Sequence, residues 1–81
     1  MPHIKINLLE GKTEAQKQEL TDEIIKVAKK VLDYGDDAFS VAIQDYTKEE
    51  WKDEVYPNQI IAEEKKLYKK PGYKYPTKII E

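Results

Sequence analysis

Pro2-His3-Ile4-Lys5-Ile6-Asn7-Leu8-Leu9, running into Glu10-Gly11-Lys12-Thr13, is the stretch on which the fold turns. Ile4, Ile6 and Leu8 alternate with His3, Lys5 and Asn7, the period-2 pattern of a strand with one buried face. Glu10-Gly11-Lys12 breaks that pattern as a turn. Thr13 then reads as a helix N-cap, with Gln16 three residues on completing a capping box.

The spacing that follows predicts a helix over roughly 14–33. Leu20, Ile24, Val27, Ala28 and Val31 fall at i, i+4, i+7, i+8 and i+11, one apolar stripe flanked by Ile25 and Leu32. Lys17, Lys26, Lys29 and Lys30, with Glu19, Asp22 and Glu23, read as the solvated side. Gly35 stands where a helix commonly stops. Phe39-Ser40-Val41-Ala42-Ile43-Gln44 alternates again and predicts a second strand. Strand, helix, strand over these lengths is a β-α-β unit, whose crossover makes the strands parallel. Thr47 and Glu50 form a second capping box, opening a short helix through Trp51 to about Val55. Tyr56-Pro57 is expected to interrupt it. Pro57 suits the first turn of a further helix, to about Lys69, and Pro71-Gly72 to stop that one. The reading is therefore an α/β fold: a single β-α-β unit, a short helix and a C-terminal helix in one domain over 1–72. A tail over 73–81 is left as either an arm or a frayed end.

The chain has 81 residues, 14 basic, 16 acidic and no cysteine. A domain this short buries little core, and no disulfide or thiolate zinc site is available to stiffen it. Two strands do not make a stable sheet alone, and one β-α-β unit covers one sheet face only. The sheet is thus expected to be completed by a second copy, giving a homo-oligomer, with a dimer favoured over a hexamer. Mixed charges without a basic stripe speak against nucleic acid as a partner. No apolar run has the length of a membrane span, and there is no secretory signal pattern, so a cytoplasmic protein is expected. One histidine and no cysteine make a transition-metal site improbable. No phosphate loop or nucleophilic serine motif is present, and no cofactor is expected.

Pro2 is the residue with chemistry in it. If Met1 is removed, Pro2 becomes a secondary amine at the head of an apolar strand. An α-amino group has a reference pKa of about 7.7–8.0, and burial in an apolar pocket lowers it, which makes a proton-transfer base poised near neutral pH. The alternative is that Pro2 merely begins an edge strand, where proline is tolerated.

Met1-Pro2-His3-Ile4, the β-α-β unit, Leu9-Glu10-Gly11-Lys12 before an amphipathic helix, and Ser40-Val41-Ala42-Ile43 together resemble the 4-oxalocrotonate tautomerase superfamily. Trp51 and the ending Lys69-Lys70-Pro71-Gly72-Tyr73 resemble its longer bacterial subgroup of small dimeric tautomerases. The resemblance implies a cofactor-independent keto–enol tautomerase, an isomerase acting on small 2-oxo or 2-hydroxy-enol acids or aryl pyruvate enols, with Pro2 as general base. It implies that Lys12 stands where the family has an arginine that binds the substrate carboxylate, keeping the charge but not the bidentate fork. Lys12 also reads as an ordinary turn lysine. Ala42 occupies the position of a second family arginine, which favours a smaller or less charged substrate. Trp51 matches an aromatic of the pocket wall, and reads equally as core. His3, beside the base, is a further substrate-binding candidate, although a lone strand histidine is more often a packing or surface residue. Two other readings stay open: a related dehalogenase, hydratase or decarboxylase, against which the absence of any arginine argues, and a non-catalytic binding module on the same fold.

Overall fold

The computed structural model describes residues 1–76. The chain divides after Tyr46 into two compact units. In the first, β1 (His3–Leu9), α1 (Glu14–Leu32) and β2 (Ser40–Tyr46) form the β-α-β unit expected from the sequence. The strands are parallel, in the register His3 to Ser40, Lys5 to Ala42 and Leu9 to Tyr46. Partners level with one another share a sheet face, so Ile4, Ile6, Val41, Ile43 and Asp45 lie on one face, and His3, Lys5, Ser40, Ala42 and Gln44 on the other. β2 begins one residue later than the alternation of Phe39 suggests, and runs on through Asp45 and Tyr46. The backbone N–H of Glu10 donates to the Tyr46 carbonyl at 2.8 Å and closes that end of the pair.

Both ends of α1 have identifiable causes. The Gln16 N–H donates to the Thr13 hydroxyl at 3.0 Å, and the Thr13 N–H to the Gln16 side-chain carbonyl at 2.9 Å. This reciprocal box satisfies two of the N–H groups a helix start leaves unpaired. At the other end the stop is Asp33, not Gly35. Asp33 adopts the left-handed conformation (φ 62°, ψ 44°), and its N–H donates to the Lys29 carbonyl. Aspartate is among the few non-glycine residues that visit this region, because its short polar side chain bonds locally. Gly35 instead precedes a 3₁₀ turn at Asp36–Ala38, with ordinary extended geometry.

The face that α1 turns inward also differs from the predicted stripe. Leu20, Val27 and Val31 are exposed, the last at 71%, while Thr21, Ile24, Ile25 and Ala28 are half-buried. Lys17, expected on the solvated side, belongs to the inward set. Its ammonium lies 2.5 Å from the Asp45 carboxylate on β2 and 3.0 Å from Glu14, with its side chain only 16% exposed. The inward face is thus rotated toward a charged anchor, since a half-buried carboxylate needs a cation more than a helix needs every valine covered.

The second unit opens with the predicted capping box at Thr47 and Glu50. The helix α2 (Lys48–Glu50) continues without a break into a π-helical segment, Trp51–Ile61, which contains Pro57. The expected interruption at Tyr56-Pro57 is therefore absent, and the helix ends at Ile61 rather than Lys69. A proline ring inside an α-helix clashes with the carbonyl four residues back and removes one hydrogen bond. Pro57 lies instead in a segment of wider π turns, where the Ala62 N–H donates to the Pro57 carbonyl five residues back. A 3₁₀ turn follows at Glu64–Lys66.

Residues 73–76, expected as part of an ambiguous tail, are packed within this unit. Tyr73 and Tyr75 close on Tyr56 with ring centroids 5.7 and 5.0 Å away, and stand 5.8 Å from each other. These are edge and tilted arrangements of the kind aromatic rings favour. The rest of that tail, 77–81, lies outside the described residues. Val55, at 1% exposure, is the one fully buried hydrophobic side chain among the described residues. No helix among them is long and apolar enough to cross a membrane.

Candidate active site

Pro2 is half-buried immediately before β1. Its carbonyl accepts the Ser40 N–H at 3.2 Å, which ties it to the start of β2. His3, the next residue, points its Nδ1 at the Ser40 hydroxyl, 2.6 Å away. One proton is shared across that pair, and which atom carries it depends on the ring tautomer. Ser40 thus holds Pro2 through its backbone and His3 through its side chain. Sequence reasoning did not single it out. The available signal was register: in a parallel pair begun by Pro2-His3, the first residue of β2 falls opposite the first of β1.

Lys5 and Ala42 pair two residues further along the same sheet face as His3 and Ser40. Ala42 is exposed and offers no polar side-chain atom, so Lys5 is the cation beside it on this face. His3, Ser40, Lys5 and the small Ala42 are thus neighbours on one exposed sheet face.

Lys12 is not brought to Pro2. It is exposed in the turn after β1, where Gly11 takes φ +117°, a backbone conformation that glycine adopts readily and other residues do not. A strand rises about 3.3 Å per residue. The seven residues of β1 therefore put roughly 20 Å between its two ends, with Pro2 at one and the Lys12 turn at the other. A single chain does not unite the two groups.

Trp51 begins the π-helical segment, half-buried. Its indole N–H donates to the Tyr73 hydroxyl at 2.9 Å. Tyr73 in turn packs against Tyr56 and Tyr75, so the indole is fixed by the aromatic cluster of its own unit. The Trp51–Tyr73 link joins residues 22 apart, and no local pattern in the sequence encodes it.

The electrostatic anchor beneath the sheet is Lys17. The hydrogen bonds it donates to Asp45 first and Glu14 second raise its ammonium above the ordinary lysine value of 10.5, against a smaller opposing effect of desolvation. This pair fastens α1 to β2, while His3 and Lys5 on the opposite sheet face are exposed.

The chain is similar to several known proteins. The family described as "Tautomerase enzyme" matches residues 2–57. A probable tautomerase from Xylella fastidiosa is 37% identical over 73 residues, covering 90% of this chain and 89% of its own. Tautomerase PptA of Pectobacterium carotovorum is 37% identical over 76 residues, covering 93% of this chain and 100% of its own. Among solved structures, a chain from the kinetic and structural characterization of the 4-oxalocrotonate tautomerase isozymes of Methylibium petroleiphilum superposes with a TM-score of 0.58. It shares 33% identity and covers 59% of this chain and 75% of that one. The parallel β-α-β unit headed by Pro2 lies within the matched residues 2–57, and this chain belongs to the tautomerase family as a tautomerase enzyme.

Proposed function

We propose that Pro2, freed of Met1, is the general base of a cofactor-independent keto–enol tautomerase acting on small 2-hydroxy-enol acids, aryl pyruvate enols foremost. The observation that carries this reading is the placement of Pro2. It is half-buried at the head of β1 and fixed by the Ser40 N–H, in a member of the tautomerase family. The uncharged amine takes the enol hydroxyl proton. The O–H electrons become the carbonyl π bond, the C=C pair moves to the adjacent carbon, and the Pro2 ammonium returns the proton there. No redox partner is required, since atoms and electrons balance within the substrate.

The remaining roles follow from charge and size. Lys12 is the cation for the substrate carboxylate, Lys5 and His3 line the approach, and Trp51 is an apolar wall. Ala42, in the place of a second cation, favours a substrate with one carboxylate. Because β1 separates Pro2 from Lys12 within a chain, we assign the working site to a homo-oligomer, a dimer by preference, in which a second copy supplies Lys12. Two-fold symmetry permits this, since antiparallel apposition of two β1 strands sets the head of one beside the foot of the other.

The test is loss of the phenylpyruvate enol followed by ultraviolet absorbance, for Met1-processed protein beside its Pro2→Ala variant. The expected result is catalysis reduced by about 10²–10⁴ in the variant, the usual worth of a positioned base, with kcat/KM in the parent rising with pH as the amine loses its proton. Equal decay in both proteins overturns the reading. A rate that falls as the amine deprotonates assigns Pro2 as an acid and favours the dehalogenase, hydratase or decarboxylase chemistry instead.

A further inference from the structure

The second unit carries a groove of about 680 Å³ that the tautomerase reading does not use. This lies within the range typical of small-molecule sites. Its apolar lining includes the rings of Tyr56, Tyr75 and Pro57, and its charged lining consists of Lys52, Asp53 and Lys74. Tyr56 and Tyr75 meet edge to face, with centroids 5.0 Å apart and planes at 76°. Tyr73 backs both, and is itself held by the Trp51 indole. The aromatic walls are therefore buttressed, and present a fixed corner suited to a flat apolar group.

The charges on the groove are unspent. Lys17, Lys26, Lys29, Lys66 and Lys70 are each paired with a carboxylate. Lys52 and Lys74 have no such partner among the described residues, and Asp53 forms no ion pair with either of them. Two ammoniums and one carboxylate leave the groove one positive charge in excess.

We infer that this groove is a binding site for an aromatic monocarboxylate, its ring against Tyr56 and Tyr75 and its carboxylate between Lys52 and Lys74. Net charge selects the anion over a zwitterion. Ring spacing argues against the opposite choice, a cation caged by tyrosines. With centroids 5.0–5.8 Å apart the three rings touch one another and leave no gap for an ammonium. The inference does not rest on Pro2, since every group it uses lies in the second unit.

Phenylacetate is the probe. It has the ring and the carboxylate but no 2-oxo group, so Pro2 chemistry cannot consume it. Titration into uniformly ¹⁵N-labelled protein is expected to shift the backbone amides of Lys52, Tyr56, Lys74 and Tyr75 saturably. The double variant Lys52→Glu, Lys74→Glu is expected to bind about tenfold more weakly, the worth of a lost charge-assisted contact. Pro2→Ala is expected to bind as the parent does. Both lysines are exposed, so the fold survives their replacement, and the parent's affinity should also fall with added salt. Absence of saturable shifts at these amides overturns the inference. So does binding unchanged by the two reversals, equal binding of phenylethylamine or phenylalanine, or shifts confined to His3, Lys5 and Ala42 that vanish in Pro2→Ala.

Discussion

His3 Nδ1 and the Ser40 hydroxyl stand 2.6 Å apart across the first rung of the parallel sheet. The backbone N–H of the same serine holds the Pro2 carbonyl. One residue at the start of β2 therefore holds both Pro2 and His3. In the proposed reaction Ser40 positions Pro2 and His3 and touches no reacting atom.

Replacing Ser40 with alanine removes the side-chain bond and keeps the backbone one. Because the pair is exposed, stability should change by less than about 1 kcal/mol. Enol turnover should fall severalfold with KM little altered, and the His3 ring nitrogen resonances should move as the tautomer balance is released. Ser40→Thr, which keeps the hydroxyl, should restore both. Unaltered His3 resonances in the alanine variant would show that the hydroxyl does not fix the ring.

The separation of Pro2 and Lys12 along β1 makes a prediction about assembly. Pro2→Ala and Lys12→Ala should each be impaired alone. Subunits of the two variants, mixed under conditions that exchange them, should regain activity, because a mixed dimer holds one site with both groups intact. Random pairing gives about a quarter of the parental rate. No recovery in verified mixed dimers would place both groups of a site on one chain.

The Lys17–Asp45 contact gives a dependence of stability on pH. The folded pKa of Lys17 lies above 10.5, its ordinary value and the reference for the unfolded chain. The contribution is therefore fully present below that value and is lost as pH rises through the folded one. Chemical denaturation midpoints should fall above the ordinary lysine range in the parent. In Lys17→Met they should be lower at neutral pH and flatter in the alkaline range.

Gly11 carries the Lys12 turn at φ +117°, with no atom close to where a Cβ would sit. The cost of Gly11→Ala is therefore conformational rather than steric crowding, on the order of 1 kcal/mol or more. Calorimetry should show the lower Tm, and Lys12-dependent turnover should fall with it because the turn shifts.

Trp51→Phe keeps an aromatic ring and deletes the donor to Tyr73. A loss of about 0.5–1.5 kcal/mol is expected, measured by urea unfolding. Tyr73→Phe should cost a similar amount, and the double variant little more than either alone, since both remove the same bond.

The sequence alone determined the order β1, α1, β2, the parallel pairing and both capping boxes. The elements and caps depend on residues within a few positions of one another: alternation in Ile4, Ile6 and Leu8, and hydroxyl–glutamine or hydroxyl–glutamate spacings at Thr13 and Thr47; the parallel pairing follows from the helical crossover between the strands. It also marked Pro2 as the residue with usable chemistry. What only the tertiary structure decided is set by groups far apart in the chain. Lys17 turns inward because Asp45, 28 residues later, is the half-buried carboxylate it pairs with, and that choice rotates α1 and leaves Val27 and Val31 in solvent. Ser40 acquires its role because sheet register puts it opposite His3. Pro57, by contrast, stays inside a helix through a local change, the π-helical winding of Trp51–Ile61. Local pattern is blind to each of these, since the deciding partner or backbone adjustment exists only once the chain has folded.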